Sequence, residues 1–162
     1  MSETRVGIGF DVHAFSSTPP ILIGGVVVDT ERGVAATSDG DVACHAVTDA
    51  VLGAANLGDM GMHFPSSDSR WHGADSTEML RESVRMAAAK AVSVLAVDVT
   101  VISQSVRIGP YRDAIRAGIA AAVSLEPERV SVKATTTDAI GALGRDEGLA
   151  AMAVVTAVVD LT

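Results

Sequence analysis

Apolar positions along the chain keep two different rhythms, and Gly, Pro and Asp mark where one gives way to the other. Val- and Ile-rich runs at Arg5–Phe10 and Ile21–Val28 predict two short strands. From Ser38 the pattern turns helical in "TSDGDVACHAVTDAVLGAANLGD", where Ser38 or Asp39 caps a helix that runs to about Leu57 and closes at Gly58. Turn formers dominate "FPSSDSRWHGADS", which reads as a surface loop. A second helix is predicted over Ser76–Lys90, with Ser76 as its cap and Met79 and Leu80 opening its apolar stripe. "VDVTVISQS" at Val97–Ser105 alternates and is β-branched, as a strand requires. "GPYRDAIRAGIAAAVSL" is an amphipathic third helix with Pro110 in its first turn. "RVSVKATTT" returns to strand, and Gly148–Asp160 is an almost unbroken apolar strand.

Strands and helices interleave, so the expected class is α/β (α+β, ferredoxin-like): a mixed four-to-five-stranded sheet with helices on one face. The last strand is long for so small a chain. Burial against another subunit explains it better than burial within one protomer.

Composition narrows the class. At 162 residues the chain suits one well-buried domain over 1–162. Hydrophobic content of 48% beside 20% charged residues is that of a globular chain rather than a disordered one. Ala and Val supply most of the core, with one Trp, one Tyr and three Phe. The formal charge of −8 argues against a nucleic-acid partner, which rewards a basic face. An anionic ligand must therefore be held by metals, helix N-termini or a few placed cations. The single cysteine, Cys44, excludes an intramolecular disulfide and any CxxC site, and fits a reducing compartment. No run approaches the ~20 apolar residues of a membrane span, and no apolar segment precedes the strand-like "RVGIGF". A cytoplasmic protein without a membrane partner is the expectation.

Two polar clusters interrupt the apolar pattern. In "GFDVHAF", Asp11 and His13 are two apart on a strand and share a face. Asp41, His45 and Asp49 are spaced i, i+4, i+8 and share a helix face. A histidine in the middle of an Ala/Val helix costs desolvation energy unless it is partnered. Two readings stay open: a core histidine bonded to Asp41, Asp49 or a carbonyl, or a zinc site of Asp11, His13 and His45 with an open fourth position. His63 and His72 read as exposed loop histidines. Cys44 points about 100° away from His45 around the helix and reads as a small buried hydrophobe.

"KATTTD" at Lys133–Asp138 offers hydroxyls and N–H groups to an oxyanion, and Asp138 suits a hard divalent cation. A strand edge with a capped turn explains Thr137 and Asp138 equally well. "GIG" at Gly7–Gly9 is too short for a phosphate loop, and no Walker or Rossmann motif is present. In "GRDEG", Arg145 beside two acids reads as a surface salt bridge.

Taken in order, "GFDVHAF", "SDGDVACHAVTDAVLGAANLGDMG", "FPSSD", "GADS", "VKATTTD" and "GRDEG" resemble the 2-C-methyl-D-erythritol 2,4-cyclodiphosphate synthase family of the non-mevalonate isoprenoid pathway. The resemblance implies a homotrimer with sheets packed around a central axis and active sites between adjacent subunits. It implies that the 2-phosphate of 4-diphosphocytidyl-2-C-methyl-D-erythritol 2-phosphate attacks the β-phosphorus, releasing CMP and closing a cyclic diphosphate. Asp11, His13 and His45 match the zinc ligands, and Asp138 the carboxylate of a second cation, Mg2+ or Mn2+. Thr37 and Ser38 match a pair contacting the erythritol phosphate, with Thr37 and Thr136 at catalytic positions. Asp59 and Gly61 match ribose contacts, and Phe64, Ser66 and Asp68 a loop near the substrate. Ser103, Val106, Ile108 and Gly109 match the segment whose backbone reads cytosine, with Thr135, Thr136 and Thr137 beside it. Ala142 and Arg145 match substrate-proximal positions, and Arg145 with Glu147 the trimer axis, where some members hold an isoprenoid diphosphate.

The chain departs from the family at several of these positions. Thr37 stands where many members have His, Asp138 where Glu is common, Ala142 in place of Phe, and Asp146 in place of Gly. "SQSVRIG" lacks the usual Pro and Lys, with Arg107 as the replacement for Lys. A zinc phosphohydrolase on the same ligands and a non-enzymatic trimeric binder of nucleotides or metals are the alternatives.

Overall fold

Alternation along the first strand decides what the rest of the chain packs against. The computed structural model describes residues 1–160. In it β1 (Ser2–Ser16) turns Gly7, Gly9, Asp11 and His13 to one face, and Val6, Ile8, Phe10 and Val12 to the other. β2 (Ile21–Ile23) and β3 (Val26–Asp29) form a hairpin, and β4 (Gly33–Val34) pairs with the end of β1. Then follow α1 (Val42–Ala54), α2 (Met60–His63), α3 (Ser76–Ala88), β5 (Val92–Ile102), α4 (Arg112–Val123), β6 (Val130–Thr135), α5 (Gly141–Gly144) and β7 (Gly148–Asp160). Short 3-10 turns lie at Ser69–Trp71, Gly109–Tyr111 and Pro127–Arg129.

The main sheet has five strands in the order β4-β1-β7-β5-β6. β1 and β7 are antiparallel from Ser2 opposite Asp160 to Ala14 opposite Gly148. β5 is antiparallel to β7 and parallel to β6, and α4 makes the crossover a parallel pair needs. The mixed sheet with helices on one face agrees with the expectation. The order of connection does not. It runs β–α–β–α–β–β, whereas a ferredoxin-like chain runs β–α–β–β–α–β, because β7 returns to lie between β1 and β5.

α1 rests directly on β1. A Cβ at Gly7 would lie 1.8 Å from the carbonyl oxygen of Ala50, and one at Gly9 1.8 Å from that of Ala46. The "GIG" that was too short for a phosphate loop is therefore a docking groove for a helix backbone. β7 continues the groove with the small, fully buried Ala151, Ala153 and Ala157.

Several boundaries moved, each for a local reason. The strand expected over Ile21–Val28 is broken by Gly24 and Gly25, whose positive φ values of 59° and 77° turn it into the β2–β3 hairpin. Asp41 caps α1, not Ser38 or Asp39, since its carboxylate accepts the N–H groups of Ala43 and Cys44. Asp75 caps α3 in place of Ser76 by accepting from Thr77. β5 spans Val92–Ile102 rather than Val97–Ser105; a bulge between Val94 and Ala96 breaks the alternation that would have marked its first residues. Within the predicted surface loop lies one 3-10 turn, capped by Asp68.

The other face of the sheet is bare. Val6, Ile8, Phe10, Val12 and Met152 are between 46% and 68% exposed, an apolar patch of the kind that marks an interaction surface. β7 accordingly splits: Leu149, Ala151, Ala153, Val155 and Ala157 are buried within the protomer, while Met152, Val154 and Val158 face the open side. Only the outward half of that strand is left uncovered. Among the described residues no helix is long and apolar enough to cross a membrane.

Gly9→Ala is expected to cost more than about 3 kcal/mol, since the new methyl meets helix backbone rather than a movable side chain. Urea denaturation measures it. Wild-type stability in that variant would mean that α1 can back away from β1 freely.

Candidate active site

The N-terminal cap of α1 sets the position of the site. Asp41 is fully buried and accepts the N–H groups of Ala43 (3.1 Å), Cys44 (3.0 Å) and, from the β2–β3 turn, Gly25 (2.7 Å). With the start of α1 pinned, His45 stands one turn in, opposite the part of β1 that lies beyond Gly9. There Asp11 and His13 project on the glycine face. Asp11 Oδ2 is 2.8 Å from His45 Nδ1 and 3.0 Å from His13 Nε2, and the two ring nitrogens are 3.3 Å apart. Among the described residues this is the one group of three or more His, Cys, Asp or Glu side chains with the spacing of metal ligands.

The triangle fits a tetrahedral divalent ion. Ligands at ~2.0–2.1 Å from such an ion are separated from one another by roughly 3.3 Å, close to the three edges found. Two imidazoles and one carboxylate also make a donor set suited to a borderline ion. Burial acts to raise the Asp11 pKa, but hydrogen bonds from His13 and His45, with their charge, outweigh it and hold the carboxyl well below the usual carboxylate range. The acid is thus present as the anion that ligation requires.

Behind the triangle, His45 Nε2 lies 2.8 Å from Ser76 Oγ and 3.0 Å from Ser38 Oγ. Neither Asp41 nor Asp49, the two carboxylates that the helix spacing offered, bonds to His45. Asp41 is consumed by capping, and Asp49 Oδ1 accepts the Met60 N–H at 2.8 Å. Burial, assisted by the charges of Asp59 and Asp11, pushes the Asp49 carboxyl upward against that hydrogen bond. His63 and His72 stand apart from the cluster, bonded to the carbonyls of Leu57 and Ser66, and Cys44 is buried in the core.

A cavity of about 280 Å³ opens over the triangle. It brings together Asp11, His13, Thr37, Ser38, His45, Gly61, Phe64 and Ser66 from the predicted set. Asp59 and Asp68 are not in its wall. Asp59 caps α2 through Met62 N–H, and Asp68 caps the 3-10 turn and pairs with Arg70, whose guanidinium lowers its pKa. The walls also contain Ala36, Asp49, Met60, Met79 and Trp71, which carried no site assignment. Trp71 meets Phe64 edge to face at 4.9 Å between centroids. Its being the sole tryptophan, in a polar loop, was the available signal.

Ser103, Val106, Ile108, Gly109, Thr135 and Thr136 line a different cavity of about 410 Å³, with Gln104, Arg107 and Ala134. Thr136 Oγ1 accepts the Asp138 N–H at 3.2 Å, and Thr137 donates to the Ile140 carbonyl at 2.8 Å. Thr137, Asp138, Ala142 and Arg145 lie in the wall of neither cavity. Asp138 is exposed with a positive φ of 51°, and Arg145 pairs with Glu147 at 2.7 Å as its sequence neighbours suggested. The chain therefore divides most of the predicted residues between two separate cavities and leaves Asp59, Asp68, Thr137, Asp138, Ala142 and Arg145 in the wall of neither.

The model of the YgbB family matches residues 4–158. A 2-C-methyl-D-erythritol 2,4-cyclodiphosphate synthase from Pasteurella multocida is 51% identical over 150 residues, covering 93% of this chain and 95% of its own. Among solved structures, a synthase of the same name in its CDP-bound form superposes with a TM-score of 0.86 at 32% identity, covering 94% of this chain and 99% of that one. The bifunctional IspDF from Campylobacter jejuni gives a TM-score of 0.95 at 37% identity; its match covers 99% of this chain, which spans only 43% of the bifunctional one. Fold, ligand triangle and likeness along nearly the whole length agree: the chain belongs to the YgbB family, that of the 2-C-methyl-D-erythritol 2,4-cyclodiphosphate synthases.

Proposed function

We propose that this chain converts 4-diphosphocytidyl-2-C-methyl-D-erythritol 2-phosphate into 2-C-methyl-D-erythritol 2,4-cyclodiphosphate and CMP, as a cyclodiphosphate-forming lyase of the non-mevalonate isoprenoid pathway. The observation that carries the reading is the convergence of Asp11, His13 and His45 on one point at the head of a cavity. An oxygen of the 2-phosphate bonds to the β-phosphorus, the bond from that phosphorus to the bridging oxygen breaks, and CMP leaves with the electron pair. Nucleophile and electrophile belong to one molecule, so the protein's task is to fold the substrate. Good orientation supplies roughly 7–11 kcal/mol of such a barrier. No side chain has to act as a nucleophile.

Zinc on Asp11, His13 and His45, with Mg2+ or Mn2+ at Asp138, would polarise the phosphoryl oxygens and neutralise charge as it develops. The exposed Thr37 offers its hydroxyl to the phosphate from the cavity wall, a donor without the positive charge of a histidine. Ser38 Oγ is already engaged behind His45, so its backbone is the more available contact. Gly61 stands at the ribose, and Phe64 and Ser66 line the same cavity near the substrate. In the second cavity, the Ser103–Gly109 segment gives backbone groups to a cytosine, with Thr135 and Thr136 at the phosphates. Asp59, Asp68, Thr137, Ala142 and Arg145 belong to the rim of the assembled site.

The two places come together when copies of the chain meet. We propose a cytoplasmic homotrimer in which the bare face of Val6, Ile8, Phe10, Val12 and Met152 turns toward the subunit axis. The first cavity of one protomer then faces the Ser103–Thr136 region of its neighbour, and 1–162 acts as one unit. An isoprenoid diphosphate at the axis would have to compete with Glu147 for Arg145.

His45→Ala is expected to lose bound zinc and to lower kcat/KM by about 1,000-fold or more, several kcal/mol of charge stabilisation. Metal analysis and phosphorus NMR of the products read both. Full turnover by a metal-free variant would end the zinc reading, and linear phosphates in place of a cyclic product would make the protein a hydrolase. Ile8→Asp should convert the trimer to the 16.5 kDa single chain in light scattering, with loss of activity. An unchanged trimer mass would place the interface elsewhere.

A further inference from the structure

The back of the His45 ring is held by a chain of hydrogen bonds in which each proton can be accounted for. Asp39 accepts the backbone N–H groups of Ser76 (3.0 Å) and Asp41 (3.2 Å), and Ser76 Oγ donates to its Oδ1 in a very short contact. A hydroxyl has one proton to give. With that proton committed to a carboxylate, Ser76 Oγ faces His45 Nε2 only as an acceptor, at 2.8 Å. Ser38 Oγ, at 3.0 Å from the same nitrogen, accepts the Gly40 N–H at 3.2 Å. The Ser76 oxygen thus calls for a proton on Nε2, and Ser38 Oγ can share it by giving its own proton to Ser76 Oγ at 3.5 Å; Nδ1 is then the nitrogen whose lone pair a metal ion would take, in place of its hydrogen bond to Asp11. Ser76 is fully buried, and α3 is already capped by Asp75, so the hydroxyl is not needed as a cap.

We infer that Ser76 and Asp39 are positioning residues that fix the tautomer of His45 and aim its Nδ1 at the metal position. The inference rests on the metal reading above and gives work to two residues that the chain pattern reads merely as helix caps. It also ties the ligand triangle to two segments remote in sequence, the Ser38–Asp41 turn and the first residue of α3. A ring gripped from behind by both cannot rotate without breaking a buried hydrogen bond.

The test uses the full chain and zinc itself. Ser76→Ala should raise the zinc Kd about 10–100-fold, the usual effect of losing a group that orients a ligand histidine, as read by competition with a chromogenic chelator. Asp39→Asn should move it the same way by less, and serves if Ser76→Ala fails to fold; Ser76→Thr should recover most of the affinity. The activity of Ser76→Ala should rise toward wild type as zinc is added, which a group touching substrate would not allow. Nitrogen-15 NMR of the metal-free wild type should find His45 Nε2 protonated. Unchanged zinc affinity in both weakened variants, or a bare Nε2 in the wild type, overturns the proposal. A wild type that takes up no zinc defeats the metal reading instead, while the state of Nε2 still decides this one.

Discussion

Backbone contact between α1 and β1 is the constraint from which the site follows. Two glycines, Gly7 and Gly9, let helix carbonyls come to where side chains would otherwise stand. The next two residues on that strand face are Asp11 and His13. A strand advances about 3.3 Å per residue and a helix 1.5 Å, so once the glycines dock Ala46 and Ala50, the position of His45 against Asp11 has little freedom left. The cap at Asp41 removes the rest by fixing where the helix starts. Ligand geometry here is a consequence of how a helix seats on a sheet.

The charge of the protein gives that geometry its purpose. A chain with a formal charge of −8 has no general attraction for a phosphorylated substrate. What attracts it has to be local. Hydrogen bonds from two imidazoles hold Asp11 ionised in spite of burial, so the triangle presents a compact anionic and nitrogen-rich mouth to a cation. A cation held there would give phosphoryl oxygens the local attraction that the acidic surface does not offer.

The bare face of the sheet and the division of the predicted residues between two cavities express one fact. Alternation sends Gly7, Gly9, Asp11 and His13 inward, and it sends Val6, Ile8, Phe10 and Val12 outward with equal regularity. The period that builds the triangle therefore also builds an apolar surface that a lone protomer leaves in water. The proposed assembly through that surface, with a neighbouring copy completing the site, would answer both features together.

Read alone, the chain determined most of this. Local pattern placed the helices, the long last strand and the interleaved class, because periodicity is a property of near neighbours. Motif order identified the family and, through it, pointed to Asp11, His13 and His45 as candidate ligands. Glycine pairs and capping were less legible. The break at Gly24 and Gly25, the choice of Asp41 over Ser38 or Asp39, and the meaning of "GIG" each depend on what lies across from them. Spacing left His45 between a core residue and a ligand, since i, i+4, i+8 placed Asp41 and Asp49 as near as any partner. Only tertiary structure removed those two partners, by spending Asp41 on three N–H groups and Asp49 on Met60, and set Asp11 before the ring and Ser76 behind it. A sequence records which groups can bond; the fold decides which of them are already taken.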